Sequence, residues 1–436
     1  MTLLAPDPTR TVPLPLREQA DVRDRWLTQR VLDLLPGLMD RAGIDLWLVI
    51  GREYNEDPVL ATLLPATWLS ARRRTILVLH RSDDGVTAAA VSRYPVGQFL
   101  PAWSPEDGEG LSFEQSQWAA VRRMVEQADP WRIGIDVSAT FGLADGLSHT
   151  EHRLLAEALG PYADRLVSAE ELVVGWLETR LPEEIAVLHA LNRLVHQVLD
   201  EAYSPAVLAV GRTTATDLAW WLRQRFTDLG VEPWFHPVVD LQRAGVPPVR
   251  EGGALLPAVP YDKPVEPGDL VHCDVGVSSL GLRTDTQRNA YVLRPGETAA
   301  PAGLRRALAV GNRLQDLTTA ELVAGRTGNE VLAAARAAAA AEGIDGVVYS
   351  HPVGYHGHGA GPAIGLWDQQ GGVPGAGDYR LHPDTVYALE LAVCVPVPEW
   401  GGHPVRMALE QGIALTAAGV EYLDRRQTEL VLVPGG

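Results

Sequence analysis

Four carboxylates and one histidine-glycine stretch are the residues of this sequence with chemistry to offer. The carboxylates are Asp274, Asp285, Glu390 and Glu410, and the stretch is His351-Pro-Val-Gly-Tyr-His356-Gly-His358-Gly-Ala-Gly361. Each carboxylate lies in a run of strand-forming residues, such as Thr385-Val-Tyr-Ala-Leu-Glu390-Leu-Ala-Val and Val405-Arg-Met-Ala-Leu-Glu410. Aspartate is a poor strand former, and an ionised carboxylate among apolar neighbours is costly unless it is paired. Imidazole is the commonest protein metal ligand and the side chain most readily used as acid or base near neutrality. The interleaved glycines remove bulk and let the backbone come close to another group.

Two hairpins would bring these carboxylates together. If the first turns between Ser279 and Leu280, Asp274 lies directly opposite Asp285. If the second has its loop centred on Trp400, Glu390 lies opposite Glu410. Opposed residues on antiparallel strands have Cβ atoms ~4.5–5.5 Å apart, and like charges there are destabilising. Arg283, Arg288 or Arg406 could neutralise one pair. Two pairs together with the histidines point instead to a binuclear metal site. Oxygen-rich ligation with an imidazole favours Mn²⁺, with Co²⁺, Fe²⁺ or Zn²⁺ as alternatives, over a thiolate-bound structural zinc. Two ions ~3.5–4 Å apart can bridge a hydroxide, orient a carbonyl and stabilise a tetrahedral oxyanion. That is amide hydrolysis without a serine or cysteine nucleophile, and no G-x-S-x-G, H-E-x-x-H or Walker motif competes with it.

The elements that must position these groups begin after Pro182, which suits the first turn of a helix over 182–203. Helix starts recur at Gly211-Arg-Thr-Thr-Ala-Thr-Asp and Gly325-Arg-Thr-Gly-Asn-Glu, with a capping threonine and an acidic residue in the first turn. The repetition implies an internally duplicated domain. Before it, helical spacing over 21–41 is followed by strands near 45–50, 75–80 and 86–91, a helix near 113–127, a strand at 132–137, a helix at 150–159 and a strand at 166–168. That alternation implies an α/β layer. Two domains are expected, 1–170 and 171–436.

Bulk properties narrow the function. The 436 residues are 46% hydrophobic and 21% charged, an ordinary globular balance, and the net charge of −18 argues against nucleic-acid binding. Cys273 and Cys394 are isolated in apolar runs, so no disulfide framework is expected. The N-terminus lacks a signal-peptide pattern, and no run approaches the ~18 apolar residues that span a bilayer. A cytoplasmic protein with no membrane partner is the expectation.

Gly268-Asp-Leu-Val-His-Cys-Asp274-Val-Gly276, Thr284-Asp285-Thr-Gln-Arg288, Gly357-His358-Gly-Ala-Gly361 and the strands ending in Glu390 and Glu410 resemble the signature segments of the pita-bread metallopeptidase family. That family includes methionine aminopeptidase, Xaa-Pro aminopeptidase, prolidase and the metal-free creatinase. The resemblance covers about residues 182–436. It implies an α+β pita-bread catalytic domain behind an N-terminal α/β domain of the creatinase type, and frequently a homodimer. It further implies two divalent ions held by Asp274, Asp285, His358, Glu390 and Glu410, with Glu390 also taking the proton of the attacking water. His351 would match an upstream catalytic histidine, His236 would hold the substrate carbonyl or carboxylate, and His356 and Arg406 would contact substrate. The activity implied is hydrolysis of a peptide bond near the N-terminus, as an Xaa-Pro aminopeptidase or dipeptidase, by a metal-bridged hydroxide. The alternatives are a creatinase-like hydrolase of a small C–N bond and a non-catalytic binding protein of the same fold. Three positions depart from the resemblance. Gly365 stands where prolidases carry a further histidine, Arg406 lies four residues before Glu410 where the family spacing is two, and Gln287 interrupts the usual D-x-T-R.

Overall fold

The structure is a computed structural model that describes residues 5–7, 10–108, 110–251 and 254–435. The chain divides into two compact units, Pro15–Leu177 and Glu178–Gly436, the latter taking in Met1–Leu14. No described helix is long and apolar enough to cross a membrane.

The first unit is a six-stranded sheet flanked by helices. Its strands are β1 (Leu46–Arg52), β2 (Arg74–Ser82), β3 (Gly85–Val91), β4 (Leu100–Pro101), β5 (Ile133–Ile135) and β6 (Leu166–Ser168), in the order β4-β3-β2-β1-β5-β6. Central β1 is apolar from Leu46 to Ile50 and buried throughout, as a strand covered on both faces must be. Its longer α-helices are α1 (Leu16–Gln29), α2 (Leu35–Ala42), α3 (Phe113–Ala128), α4 (His149–Leu159) and α5 (Glu170–Glu178). Trp176 of α5 meets Trp47 of β1 edge-on, ring centroids 6.4 Å apart, and the Arg30 guanidinium lies over its ring. These contacts keep the chain in the first unit as far as Leu177, seven residues beyond 170.

The second unit repeats one plan twice, a pair of helices followed by a long antiparallel strand pair. Helices α6 (Pro182–Ala202) and α7 (Ala215–Asp228) precede β7 (Val238–Gln242), β8 (Leu270–Val275), β9 (Val277–Ser279), β10 (Leu282–Arg283) and β11 (Thr286–Val292). Helices α8 (Ala302–Glu321) and α9 (Gly328–Ala341) precede β12 (Gly346–Val348), β13 (His351–Pro352), β14 (Thr385–Pro396), β15 (Pro404–Thr416), β16 (Gly419–Tyr422) and β17 (Val431–Val433). One sheet unites the halves in the order β7-β8-β11-β15-β14-β12, with β13 on β14, β16 on β15 and β17 on β11. The two expected helix starts are equivalent in atomic detail. Thr214 Oγ1 accepts the Asp217 N–H at 3.0 Å and Thr327 Oγ1 accepts the Glu330 N–H at 3.1 Å, with each acidic side chain accepting from its cap residue in return.

Helix α8 has no clear signal in the sequence. Its buried face includes Gly303, Gly311, Asn312, Gln315 and Thr318, which dilute the apolar period. The glycines are there for contact: a Cβ at Gly311 would lie 2.8 Å from Leu409 Cδ1, so the helix rests directly on β15. Leu389, Leu391 and Leu409 face this helix layer as part of one buried cluster. The alternate residues of the same strands therefore face the other side of the sheet, and among them are Glu390 and Glu410. Loss of one cap should loosen one repeat: Thr327→Ala is expected to lower stability by about 1 kcal/mol, read as a shift of the urea midpoint with unchanged slope.

Candidate metal centre

The β14–β15 hairpin has the register expected from its loop, with Glu390 paired to Glu410. The first hairpin differs. Its turn residues are Leu280 (φ 55°) and Gly281 (φ 81°), between the paired Ser279 and Leu282. Positive φ at both positions is what a two-residue hairpin turn requires. The turn centre is one residue further along the chain than expected, so every pairing moves by two and Asp274 faces Gln287, not Asp285. A shift of two preserves the face. Asp285 therefore remains on the side of Asp274, and oxygen atoms of Asp274, Asp285 and Glu410 lie within 4.8 Å of one another. Gln287 also pairs with Glu410 across β11–β15, which joins the two hairpins at the site.

His351 stands at the centre of the cluster. Its pairing with Ala388 sets it beside the Glu390 strand, and its Nε2 lies 3.9 Å from Asp285 Oδ2, 3.9 Å from Glu390 Oε2 and 3.8 Å from Glu410 Oε1. Its Nδ1 lies 3.1 Å from the Pro352 carbonyl oxygen, which can only accept, so Nδ1 carries the hydrogen. The Nε2 lone pair then points at carboxylate oxygens. Nε2, Asp274 Oδ1, Asp285 Oδ1 and both Glu410 oxygens are buried without a hydrogen-bond partner among the described residues. Buried polar atoms are nearly always satisfied, and a lone pair facing three carboxylates is repulsive unless a cation lies between them. This donor set of carboxylate oxygens and one imidazole fits a hard divalent ion such as Mn²⁺.

The protonation equilibria agree. Burial raises all four carboxyl groups: Glu390 to about 8, Asp274 to about 6, and Asp285 and Glu410 well above the usual range; repulsion from cluster carboxylates adds to the effect at Asp285, Glu390 and Glu410, and Asp240 adds to it at Asp274. Burial holds His351 down at about 4, and the neighbouring His358 contributes.

A buried polar chain stands behind the cluster. The Gln287 side-chain amide donates to Glu390 Oε1. Its Oε1 lies 2.9 Å from His272 Nε2, and His272 Nδ1 lies 3.1 Å from Asp240 Oδ2. In the sequence Gln287 stands only as a departure from the D-x-T-R pattern, and His272 and Asp240 belong to no motif. Their signal was present, since His272 and Gln287 lie an even number of residues from Asp274 and Asp285 and so share their face. Arg406 is also buried here, donating to Tyr349 Oη at 3.0 Å, with Asp240 and Glu390 among the charges that raise it.

The remaining histidines differ in placement. His358 is exposed, with its ring edge-on to His351 (4.8 Å between centroids) and to Trp234 (5.3 Å); it has a donor atom within 4.8 Å of Asp285 and His351. His356 is partly buried with Nδ1 unpartnered, and burial together with Arg283 and Arg180 lowers it to about 4. His236 is exposed with its ring tilted against that of Trp220, 4.9 Å between centroids, and it joins none of the metal-spaced groups among the described residues. Trp234 holds the site together, donating from Nε1 to the Thr284 carbonyl at 2.8 Å. A Cβ at Gly276 would come within 2.1 Å of this ring and one at Gly357 within 2.3 Å, so the indole is wedged between hairpin and histidine loop. At Gly365, φ is 76° and a Cβ would lie 2.2 Å from the Val348 carbonyl, so the backbone there admits no side chain.

A duplicated α+β unit with carboxylates and histidine gathered on its shared sheet defines the pita-bread class of metallopeptidase fold. The chain belongs to metallopeptidase family M24, whose sequence profile matches residues 186–417. Among solved structures, the X-Pro aminopeptidase from Thermotoga maritima MSB8 is similar with a TM-score of 0.63 at 17% identity, covering 91% of this chain and 100% of that one. The Xaa-Pro dipeptidase from Bacillus anthracis follows at 0.60 and 16%, over 95% and 99% of the two chains. Dipeptidase PepE from Mycobacterium ulcerans is similar at 0.60 and 18%, again over 95% and 99%. At these identities the likeness establishes the fold of both units. No curated protein sequence matches the chain.

The raised carboxyl groups set a stability profile. The native metal-free protein holds protons that the unfolded chain releases, so this stability is complete below about pH 4 and is lost as pH rises through the Asp274 and Glu390 values of about 6 and about 8. Melting temperature of the metal-free protein should fall from pH 5 to pH 8, and added Mn²⁺ should restore it most at pH 8. A flat metal-free profile would contradict the clustering.

Proposed function

We propose that the protein is a metal-dependent peptidase acting next to the N-terminus of its substrate, an Xaa-Pro aminopeptidase or dipeptidase, with two divalent ions, Mn²⁺ by preference. The observation that carries the reading is the unprotonated His351 Nε2 facing the carboxylates of Asp285, Glu390 and Glu410 with no hydrogen-bond partner of its own among the described residues. The ligands in this reading are Asp274, Asp285, Glu390, Glu410 and His351. The resemblance gave the imidazole position to His358; the geometry favours exchanging the two histidines, with His358 at the exposed edge of the cluster.

Bound ions would acidify a water and polarise the scissile carbonyl. Glu390 takes the proton of the attacking water: Gln287 holds its Oε1, its Oε2 faces the cluster, and burial favours its protonated form. His358 meets the substrate carbonyl or leaving amine from the solvent side. Arg406, held by Tyr349 and close to Asp240 and Glu390, supports the carboxylate array more directly than it serves substrate. The full complement of donors favours a peptidase over the metal-free hydrolase alternative. Both cysteines are free thiols, which suits the cytoplasm.

The histidine exchange separates two measurements. His351→Ala should weaken Mn²⁺ binding by at least about tenfold, as loss of ligation does. His358→Ala should keep Mn²⁺ affinity within a few-fold while lowering kcat on an Xaa-Pro substrate on the order of a hundredfold. Hydrolysis that survives chelation, or metal loss in His358→Ala alone, would contradict the assignment.

A further inference from the structure

The histidine loop has a stem and a tip, and different parts of the second unit hold them. In the stem, His351 and Pro352 pair with β14 as β13, and the Val353 N–H donates to the Val386 carbonyl at 2.9 Å. The Gly359 N–H returns to the Pro352 carbonyl at 2.8 Å and closes the loop, while the Gly354 N–H donates to the His356 carbonyl at 3.0 Å across the tip. His351 therefore belongs to the stem and is fixed by strand pairing. His358 follows the tip and rests on ring contacts with His351 and Trp234.

The tip is anchored by the first repeat instead. The Arg283 N–H donates to the Gly354 carbonyl at 2.8 Å, and Gly357 packs on the Trp234 indole. A further anchor comes from the start of α6. Tyr355 Oη donates to Glu184 Oε1 at 2.9 Å, and Glu184 Oε2 accepts the Leu181 N–H at 2.7 Å, so both oxygens of this carboxylate are committed. The Arg180 guanidinium lies 4.3 Å from the Tyr355 ring centroid and 3.7 Å from Glu184 Oε1. A Cβ at Gly354 would come 3.3 Å from Arg180 Cζ, so the tip backbone rests on the same guanidinium. The Arg180 N–H in turn donates to the Asp384 carbonyl at 2.7 Å, just before β14. A clamp thus runs from the base of the Glu390 strand to the loop tip.

The side chains of Arg180 and Glu184 are fully buried. Replacing a buried ion pair by apolar residues of similar volume is often neutral or stabilising, so stability alone does not call for charge here. What the charges add is direction. A carboxylate held at one oxygen by its own helix cap presents the other to a single hydroxyl, in a strong charge-assisted hydrogen bond.

We propose that Tyr355 is a positioning residue, clamped by Glu184 and Arg180 so that the loop tip holds His358 at the open edge of the metal cluster. This rests on the peptidase reading above, in which His358 meets the substrate, and assigns the group that places it. His351 is placed by β13 and does not depend on the clamp, so one substitution separates the two histidines.

The test compares full-length wild type, Tyr355→Phe and Tyr355→Leu, loaded with Mn²⁺, by Ala-Pro hydrolysis, Mn²⁺ titration and amide hydrogen exchange. Tyr355→Phe should speed exchange in the segment 353–359 at least about tenfold, the worth of a hydrogen bond to a charged group, and leave β14 and β15 unchanged. Its kcat should fall about tenfold, with KM and Mn²⁺ affinity within a few-fold. Tyr355→Leu, which also takes the ring from the guanidinium, should lose more, so that phenylalanine restores part of the activity. Unchanged exchange in the loop, or exchange that rises equally in β14 and β15, overturns the clamp. Faster loop exchange with kcat intact, or Mn²⁺ affinity lost in step with kcat, overturns the positioning of His358 and leaves the peptidase reading standing. If wild type cleaves no peptide, the peptidase reading falls; the clamp then stands on faster loop exchange in Tyr355→Phe and falls without it.

Discussion

Four carboxylates and an imidazole lone pair converge in a space where, among the described residues, most of their buried oxygens and the imidazole nitrogen meet no hydrogen-bond donor. Ionised groups of one sign at such separations inside a protein are held apart by several kcal/mol unless a counter-charge enters. The chain offers the cluster only partial answers. Gln287 satisfies one oxygen of Glu390, and Arg406 sits behind the array, but among the described residues neither Glu410 oxygen has a partner at hydrogen-bond geometry. Without an ion the cluster relieves itself by taking up protons, which is what the raised carboxyl pKa values express. A site that must choose between protons and metal couples metal affinity to pH.

The rest of the second unit is arranged to impose this proximity. Helices α8 and α9 cover one face of the sheet, so Leu389, Leu391 and Leu409 lock β14 and β15 in register and force Glu390 and Glu410 to the other. The first repeat supplies its aspartates through a turn that demands positive φ at Leu280 and Gly281. Trp234 then joins the halves, and it can do so only because Gly276 and Gly357 present no side chain to it. The polar chain Asp240–His272–Gln287 orients Glu390 from behind, so a residue that looked like a broken motif is a structural part of the centre.

Much of this was legible in the sequence. Symmetry about Trp400 found the Glu390–Glu410 pair, and repeated Thr-x-x-acid caps found the duplication, because both depend on local spacing alone. The first hairpin was misjudged by one residue, since Ser279-Leu280 and Leu280-Gly281 are neighbouring candidates and only the φ demand of the turn separates them. The glycine should have decided it. Helix α8 was missed because its buried face is built from glycines and polar residues. The histidines could not be ranked by spacing either: His351 owes its place to pairing with β14, a long-range contact, whereas His358 matched a motif and lies at the exposed edge.

The central claim is that the buried carboxylates and His351 enclose divalent ions. An anomalous difference map from a crystal of the protein grown with Mn²⁺ tests it most directly. The account predicts peaks within the Asp274–Asp285–Glu410 and His351–Glu390–Glu410 groups, with His351 Nε2 as a ligand. A map without peaks there, with the carboxyl groups hydrogen-bonded to one another as neutral acids, would contradict it.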